Sequence, residues 1–282
     1  MFQLLFGIKI SRSTSCRSIL RTAAKCEPAY QEIIAQVRGS PVVKADETGW
    51  KLSGLSHWLH VFVSRNAVLY RVDRRRGHEV AKDLLGLDYN GTLIHDGLAS
   101  YAKFLDANHQ QCLAHLLKRC RELLETAQAG AVRFPRAVKS LLRRGLEVRD
   151  QFLAGEMTST ALAVLRAGLT EELARLVGPV KSHAGNERLA KFLELHLDEV
   201  FWFLSDPLTI SATNNESEFE LRFNVIARKL SGGNRSEAGR HAQEALPSIT
   251  RTCRKLGLEP HHFLHQTLRS TTPVPLYPAP AR

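Results

Sequence analysis

The chain lacks long apolar runs and a regular set of cysteines. Across its 282 residues, no apolar stretch approaches the roughly 18 residues that a membrane-spanning helix needs. The apolar opening MFQLLFGIKI has no basic region before it and no small-residue cleavage site after it, so it does not resemble a signal peptide. The five cysteines are odd in number and irregularly spaced, which argues against a disulfide framework. We therefore expect a soluble protein in a reducing cytoplasm, with no membrane partner.

Several short enzyme motifs are missing as well. There is no G-x-S-x-G elbow, and no cysteine stands in a context that would clearly activate it, which argues against a serine or cysteine nucleophile. The glycine-rich stretch SGGNRSEAGR is not closed by G-K-[ST], so it is not a Walker loop. These absences disfavour the common hydrolases and the P-loop ATPases.

Acidic residues are too few to balance the basic ones. Lys and Arg number 39 against 28 Asp and Glu, which gives a net charge of +11 and a pI near 9.7. The basic residues are spread along the chain, with local runs such as DRRRGH and LLRRGLEVR. This distribution favours a polyanionic partner, nucleic acid before membrane. A basic protein without such a partner is the alternative.

The first part of the chain alternates between helical and strand-like patterns. Residues 13–38 carry apolar side chains at helical spacing, and Gly39 is predicted to end that helix. Three β-like runs separated by turn residues follow, as in an antiparallel meander: PVVKADE, HWLHVFVS and AVLYRVD. The next stretches predict a helix, a strand, a helix and a fifth strand or strand-to-helix junction, in GHEVAKDLLGL, GTLIHDG, LASYAKFLDA and HQQCLAHLL.

From Lys118 to about Ser205 the pattern is wholly helical, and the helix NNESEFELRFNVIARKL follows. A β-meander followed by β-α-β is the arrangement of the ribonuclease-H-like fold. We therefore predict an α/β protein with a ribonuclease-H-like mixed sheet and an all-helical insertion.

The same pattern divides the chain into segments. Residues 1–40 are predicted to form an N-terminal helical segment, whose apolar opening we interpret as a strand or helix fragment, the stub of a longer protein. Residues 41–118 and 206–235 form the predicted catalytic core, and residues 119–205 the helical insertion. Residues 236–282 are predicted to be a C-terminal helical tail.

Two acids stand at the ends of predicted strands. Asp46 lies in VVKADETGW on the first strand, and Asp96 lies in IHDGLAS on the fourth. In a ribonuclease-H-like sheet these strands are neighbours, so the two carboxylates meet at one edge. Two divalent cations about 3.5–4 Å apart, held by such acids, can activate a water or a 3′-hydroxyl and stabilise the leaving oxygen. Mg²⁺ suits such oxygen ligands; an ordinary solvent-facing acid is the alternative at each position.

The third acid is expected on the helix after the insertion, which offers Glu216, Glu218 and Glu220. One apolar stripe of this helix is formed by Phe219, Phe223, Ile226 and Leu230. One margin of the stripe carries Asn215, Glu218, Arg222 and Lys229. A metal-binding acid beside the sheet needs neighbours that can contact phosphate, and this margin supplies two cations. We therefore choose Glu218, with a solvated row of charges as the alternative.

Several motifs together resemble a known family. The stretches ADETGW, HDG, QCLAHLLKRC, TNNESEFELR, ARKLSGGNRSEAG and LEPHHFL are similar to those of the insertion-sequence-66 transposases, from about Ser11 to Leu268. The resemblance implies a DDE transposase core that uses two Mg²⁺ (or Mn²⁺) ions. It carries the catalytic and metal-binding triad to Asp46, Asp96 and Glu218.

The resemblance also implies a reaction and its partners. Water would attack a phosphodiester at the end of a mobile element, and the 3′-hydroxyl released would then attack target DNA. Asp46 would bridge the two cations, Asp96 would hold one and Glu218 the other. The expected partners are transposon-end and target DNA, bound by a homo-oligomer at the nucleoid of a bacterial cytoplasm.

The chain departs from the family pattern in two ways. Full-length members carry an N-terminal coiled-coil segment and a zinc-binding, DNA-contacting module, which this chain is expected to lack. Phe219 stands where the family usually has Arg. The alternatives to an active enzyme are a truncated, catalytically inactive remnant that only binds DNA, and a nuclease of the same fold that acts on RNA–DNA hybrids.

Other residues are candidates for auxiliary roles. Cys112 and His115 form a C-x-x-H pair, which is half of a tetrahedral zinc site. A packing or hydrogen-bonding role is the alternative, as is an approach of His115 to the scissile phosphate. Asn215 precedes the candidate acids on their helix. Trp50 lies four residues from Asp46 and either lines the site or belongs to the core.

The DNA-binding surface is predicted from clusters of basic residues. The glycine-rich loop could cradle a phosphate, and Arg222, Arg228, Lys229 and Arg235 are its expected cationic neighbours. Arg143 and Arg144 represent a non-specific DNA surface on the helical insertion. A plain helix-ending loop and solvated helix faces are the alternatives.

Overall fold

A five-stranded mixed sheet organises the fold. The computed structural model describes residue 7 and residues 9–277, so most of the opening segment MFQLLFGIKI lies outside the described residues. The strands are β1 (Val42–Leu52), β2 (Leu55–Val63), β3 (Val68–Asp73), β4 (Thr92–His95) and β5 (Asn108–Gln111). Their order is β3-β2-β1-β4-β5, which confirms the predicted ribonuclease-H-like α/β fold.

The strand directions follow from the connections between them. β2 and β3 are antiparallel and joined by a short turn, with Val63 paired with Val68. β1 and β4 are parallel, as are β4 and β5, and parallel neighbours need longer crossovers. All four residues of β4 are buried, as expected of a central parallel strand covered on both faces.

Helices account for most of the remaining chain. They are α1 (Arg12–Lys25), α2 (Glu27–Arg38), α3 (His78–Leu85), α4 (Leu113–Thr126), α5 (Arg133–Leu153), α6 (Ser159–Val177), α7 (Ala184–Leu195), α8 (Leu197–Val200), α9 (Asn215–Ser231), α10 (Glu237–Lys255) and α11 (Pro260–Arg269). Among the described residues, no helix combines the length and the apolar character that crossing a membrane requires.

The chain divides into two compact units, which we call the meander unit and the insertion unit. The meander unit holds the described residues up to Ser40, Glu47–Gly86 and the described residues from Phe219 onward. The insertion unit holds Pro41–Asp46 and Leu87–Glu218. The four-segment division drawn from the sequence stays a prediction.

The insertion unit has its own apolar core. α5 is amphipathic and buries one face, and α6 buries residues that recur at helical spacing. The buried residues of these two helices include Phe134, Val138, Leu141, Leu142, Leu162, Leu169, Leu173 and Val177. They pack together with residues of β4 and α4, so the insertion helices build one core with the strand that leads to Asp96.

In the meander unit, α10 covers the outer edge of β3 with polar side chains. The backbone N–H groups of Val68, Tyr70 and Val72 donate to side-chain oxygens of α10 at 2.8–3.0 Å. The acceptors are Thr252, Ser248 and Glu244. Two residues along a strand span roughly 6.8 Å and four along a helix roughly 6 Å, so the two spacings match. The edge strand is therefore hydrogen-bonded along its length without a further strand.

Three predicted elements differ in extent from the structure. The N-terminal helical pattern is interrupted at Cys26, so residues 12–38 form two helices. β1 runs to Leu52, well beyond the predicted PVVKADE, because it continues into its turn with β2. The predicted helix LASYAKFLDA is only the 3-10 turn Ala99–Lys103. Residues 96–107 make the parallel crossover from β4 to β5, and turns at both ends shorten the helical part: the Leu98 N–H donates to Asp96 Oδ1 and the Ala107 N–H to the Phe104 carbonyl.

The apolar stripe of α9 does not face the core. Phe219, Phe223, Ile226 and Leu230 are all exposed, and the buried positions are Ser217, Glu220, Leu221 and Asn224. The helix therefore turns a largely polar face inward. Polar side chains can occupy this face because buried partners meet them, such as Tyr70 and Arg251 at Glu220.

Candidate active site

Asp46 and Asp96 occupy equivalent positions on neighbouring parallel strands. The paired register of β1 and β4 ends at Lys44 and Ile94, and each acid comes two residues further along its chain. Both side chains are partly exposed. Parallel strands in register bring such positions to the same edge of the sheet, where α/β proteins usually bind ligands.

A chain of buried hydrogen bonds joins the segments that carry the three acids. The Asn214 side-chain amide donates to the Ala45 carbonyl at 2.8 Å, and the Asn214 backbone N–H donates to Cys112 Sγ at 3.2 Å. The Cys112 N–H donates to the His95 carbonyl at 2.8 Å. Ala45 and His95 directly precede the two aspartates, and Asn214 accepts the N–H of Glu218 at 3.3 Å. Asp46 and Asp96 each directly follow a residue of this network, and Glu218 lies one helical turn after Asn214. All three acids are therefore anchored to the same network.

The three candidate glutamates of α9 meet different surroundings. Glu216 forms an ion pair with Lys44 at 2.6 Å. Glu218 is exposed and lies beside His115, with Oε1 and Nδ1 3.5 Å apart. Within the meander unit, Glu220 is buried and accepts two hydrogen bonds from Arg251 at 2.6 and 2.7 Å. Glu218 therefore has the loosest of the three contacts, because its basic neighbour is a histidine at 3.5 Å, whereas Lys44 and Arg251 lie 2.6 Å from Glu216 and Glu220.

A pair of hydrogen-bonded histidines supports the turn that carries Asp96. Burial lowers the pKa of His95 to about 3, with His109 adding to the effect. His109 Nε2 lies 3.0 Å from the Phe104 carbonyl, so it must donate there, and its Nδ1 accepts from His95 Nε2 at 3.1 Å. His95 Nδ1 then accepts the N–H of Gly97 at 3.1 Å. These tautomers follow from the hydrogen-bond partners.

Gly97 explains the glycine in the motif HDG. Its φ is +93°, in the left-handed region that glycine occupies at little cost. A Cβ at this position would lie 2.6 Å from the Phe192 ring and 2.9 Å from Gln111 Oε1. The turn after Asp96 is therefore fixed both by backbone conformation and by the space around it.

Cys112 and His115 lie on the first turn of α4 and face Glu218. The Cys112 sulfur, a His115 ring nitrogen and a Glu218 oxygen all lie within 4.8 Å of one another. The Cys112 thiol, in close contact, raises the pKa of His115 against the opposing effect of burial, and Glu218 and Asp96 add smaller contributions. The pair that sequence analysis treated as auxiliary therefore borders the candidate acids.

The donor set suits hard divalent cations. Asp46, Asp96 and Glu218 supply carboxylate oxygens, the ligands that Mg²⁺ and Mn²⁺ prefer. All three residues belong to the insertion unit, so their arrangement is set within one compact unit. The assignment of metal-binding roles to the three stays a prediction.

The two arginines singled out on the insertion differ in their surroundings. Arg144 is held by Glu172 through two contacts of 2.8 and 2.9 Å. Arg143 is exposed and has no ion-pair partner among the described residues. Arg143 is therefore the better placed of the two to meet a phosphate.

In the meander unit, Arg222, Lys229 and Arg235 are exposed, while Arg228 is partly buried and donates to the Gly49 carbonyl. A cavity of about 460 Å³ is lined by Trp50, Lys51, His57, Trp58 and Arg228, together with Gly49, Ser56 and Gly232. This cavity offers aromatic rings beside cationic side chains, a combination that suits nucleic acid.

Trp50 itself is a core residue. It is buried among Leu59, Val61 and Tyr70, and its Nε1 donates to Asn234 Oδ1 at 2.7 Å. Only part of it reaches the cavity wall.

The glycine-rich loop docks against β1. Gly233 has a φ of +97°, and a Cβ there would lie 2.3 Å from the Lys51 carbonyl. The Asn234 N–H donates to that carbonyl at 2.9 Å, and the Ser53 N–H donates to the Asn234 carbonyl at 2.8 Å. The glycines therefore serve a close backbone approach, and the Asn234 N–H is not available to a phosphate.

Sequence reasoning missed the residues that hold the site together. Asn215 is exposed, whereas its neighbour Asn214 is fully buried and makes the anchoring contacts. Lys44 was not considered, although it pairs with Glu216. The sequence does not indicate which of Asn214 and Asn215 points inward. The two residues differ only in their position relative to the start of α9 at Asn215.

The five-stranded sheet is that of the ribonuclease-H-like proteins, a class that includes the DDE transposases. Within that class, the sequence profile described as "Transposase IS66 family" matches residues 1–242, and the chain belongs to this family. Two curated proteins of Sinorhizobium fredii (strain NBRC 101917 / NGR234), both described as uncharacterized, are similar to the chain. The protein y4jO is 28% identical over 63% of this chain and 56% of its own length. The protein y4qI is 25% identical over 93% of this chain and 53% of its own length.

The chain spans about half the length of the curated relatives it matches. The chain belongs to the family, but the activity of a whole transposase does not follow from that membership alone.

Proposed function

We propose that this chain is the catalytic region of a DNA transposase. It hydrolyses a phosphodiester bond at the end of a mobile element and joins the resulting 3′-hydroxyl to target DNA. The observation that carries the proposal is the buried network through Asn214 and Cys112, which ties together the segments bearing Asp46, Asp96 and Glu218. Membership of the IS66 family supports the same conclusion.

Asp46, Asp96 and Glu218 are the residues that would hold two Mg²⁺ or Mn²⁺ ions. When bound, such ions supply Lewis-acid stabilisation of the attacking and leaving oxygens. The protein's part is to fix the carboxylates. Asn214 holds α9 against β1, and the neutral His95 and Gly97 hold the turn after Asp96. Fixed ligands lose little freedom on binding, which favours an ordered site.

The proposed DNA partners would contact the exposed basic residues. Arg222, Lys229 and Arg235 in the meander unit and Arg143 in the insertion unit are the cations best exposed for phosphate contacts. Transposition joins two DNA ends to one target, so we further propose that the chain works as a homo-oligomer assembled on DNA, at the bacterial nucleoid.

A plasmid-nicking assay tests the catalytic proposal. Wild-type protein with Mg²⁺ should convert supercoiled plasmid to the nicked form, and Asp46→Asn, Asp96→Asn and Glu218→Gln should each lower the rate by at least 100-fold, as expected when a metal ligand is lost. Asp106→Asn, an equivalent change at an exposed aspartate of the same unit, is the matched control and should nick like the wild type.

The other outcomes assign the alternatives. Equal nicking by all variants would mean a contaminating nuclease and no role for the triad. Salt-sensitive DNA binding without metal-dependent nicking would identify a remnant that only binds DNA. Preferential cleavage of an RNA–DNA hybrid by the wild type, lost in Asp46→Asn, would identify a nuclease of the same fold.

A further inference from the structure

We propose that Cys112, His115 and Glu218 form a binding site for one thiophilic divalent cation, with Zn²⁺ as the best fit. This site differs in its chemistry from the all-carboxylate site of the proposed magnesium ions. It shares only Glu218 with that site.

The spacing of the three donor atoms fits a single ion. The atoms all lie within 4.8 Å of one another, and His115 Nδ1 is 3.5 Å from Glu218 Oε1. Bonds of about 2.0–2.3 Å in a tetrahedral zinc site place neighbouring donors roughly 3.3–3.6 Å apart. The nitrogen–oxygen pair is already at that separation, and the widest pair needs to close by about 1 Å, within the reach of side-chain rotation.

The local fold presents these donors together for a definite reason. Cys112 is the N-cap residue of α4 and His115 is three positions further on, so both lie on its first turn. Asn214, at the start of α9, donates its N–H to Cys112 Sγ, which fixes the sulfur beside the turn that carries Glu218. The site is therefore built from two helix starts that are hydrogen-bonded to each other.

One atom of the cluster is left unsatisfied. His115 Nδ1 is buried and has no hydrogen-bond partner among the described residues, although the ring as a whole is only half buried. A buried polar atom without a partner is costly, and a metal ion is one way to satisfy it.

The chemical softness of the ligand atoms determines which cation fits this site. A thiolate and an imidazole favour Zn²⁺ over Mg²⁺, which keeps to oxygen ligands. Three protein ligands, of which Glu218 is exposed, leave a fourth position open to water or to a phosphate oxygen. A zinc ion bound there would occupy Glu218, and, resting on the proposed function, it would compete with the magnesium site and inhibit nicking.

Binding of Co²⁺, a spectroscopic substitute for Zn²⁺, tests the site without any DNA or activity. The wild type should show a sulfur-to-cobalt charge-transfer band that saturates at one equivalent of thiolate-bound ion and that added Zn²⁺ abolishes. Cys112→Ser should lose the band, and His115→Gln and Glu218→Gln should weaken binding at least tenfold. Asp46→Asn, which removes only a proposed magnesium ligand, should keep the sulfur-to-cobalt band of the wild type.

Control variants separate this site from other thiols and histidines. Cys16→Ser and His265→Ala change exposed residues and should leave the band unchanged. Far-ultraviolet circular dichroism and thermal unfolding must show that each variant is folded. Absence of the band in folded wild-type protein, or its survival in Cys112→Ser, would overturn the proposal.

Inhibition is tested separately in the nicking assay with Mg²⁺ in excess. Zn²⁺ should inhibit the wild type at concentrations at least tenfold below those that inhibit His115→Gln. Equal inhibition would overturn the shared role of Glu218. If no protein nicks DNA, the catalytic proposal fails, while the Co²⁺ spectrum still decides whether the metal site exists.

Discussion

Glu218 and Glu220, two residues apart on α9, have different surroundings and different expected roles. Glu220 is enclosed by Arg251 and by the hydroxyl of Tyr70, which donates to it at 2.9 Å, so its charge is compensated and buried. Glu218, two residues earlier, is exposed and faces His115. A carboxylate with compensating partners stabilises the fold, whereas one without them is available to bind an ion.

This contrast predicts opposite outcomes for the same chemical change. Glu220→Gln should lower the free energy of unfolding by about 2 kcal/mol, because it leaves Arg251 without its counter-charge. Glu218→Gln should change stability by less than about 0.5 kcal/mol while abolishing nicking. Urea unfolding followed by circular dichroism measures the first quantity. Equal stability losses in the two variants would contradict the assignment of roles.

At the scale of the element, α9 reverses the usual amphipathic arrangement. Its apolar stripe faces solvent, and Leu221 is the buried apolar residue within a largely polar inner face. Arg251 lies over the Phe219 ring at 5.5 Å, one of the few contacts of that stripe. An exposed apolar row beside Arg222 and Lys229 offers both ring faces and cations, which suits contact with DNA strands better than with an uncharged partner.

The burial of individual α9 side chains predicts which substitutions lower the free energy of unfolding. Leu221→Ala should cost about 2–3 kcal/mol, because Leu221 is 5% exposed and packs in the core of the meander unit. Ile226→Ala should cost less than about 0.5 kcal/mol, because that side chain is 53% exposed. Thermal and urea unfolding of the two variants measures the difference. A larger loss for Ile226→Ala would mean that the stripe is covered in solution.

The helix α9 also shows how much of the fold and of the candidate site the sequence could predict. Asp46 and Asp96 could be placed on neighbouring strands, because each ends an apolar run within a recognisable order of elements. The argument that selected Glu218 compared the two margins of the apolar stripe, and the structure shows that this stripe is exposed. Periodicity reveals that a helix has two faces, but tertiary partners such as Arg251 decide which face is buried. The choice of Glu218 stays a prediction.

At the scale of the whole molecule, charge is the dominant feature. The net charge of +11 is unevenly distributed: the insertion unit holds 16 Lys and Arg against 18 Asp and Glu, and the rest of the chain holds 23 against 10. Exposed arginines nevertheless occur in both units. Such a charge favours association with DNA through the release of counterions, independent of sequence. The composition therefore agrees with the DNA partner proposed above.

Adjacent arginines on α5 allow a matched test of DNA binding. Arg143→Gln should reduce the slope of log affinity against log salt by about 0.9, the value for one lost phosphate contact. Arg144→Gln should change the slope less, because Glu172 already neutralises that side chain. Fluorescence anisotropy with a labelled DNA duplex at several salt concentrations gives both slopes. Identical slopes for the wild type and both variants would exclude this face from the DNA interface.

The hydrogen bonds between β3 and the polar side chains of α10 have a consequence for assembly. Because Glu244, Ser248 and Thr252 occupy the N–H groups at that border, no strand from a neighbouring copy can extend the sheet there by β-augmentation. Contacts between copies on that side must instead use helix surfaces. These hydrogen bonds therefore protect the β3 edge of the sheet against strand-mediated aggregation.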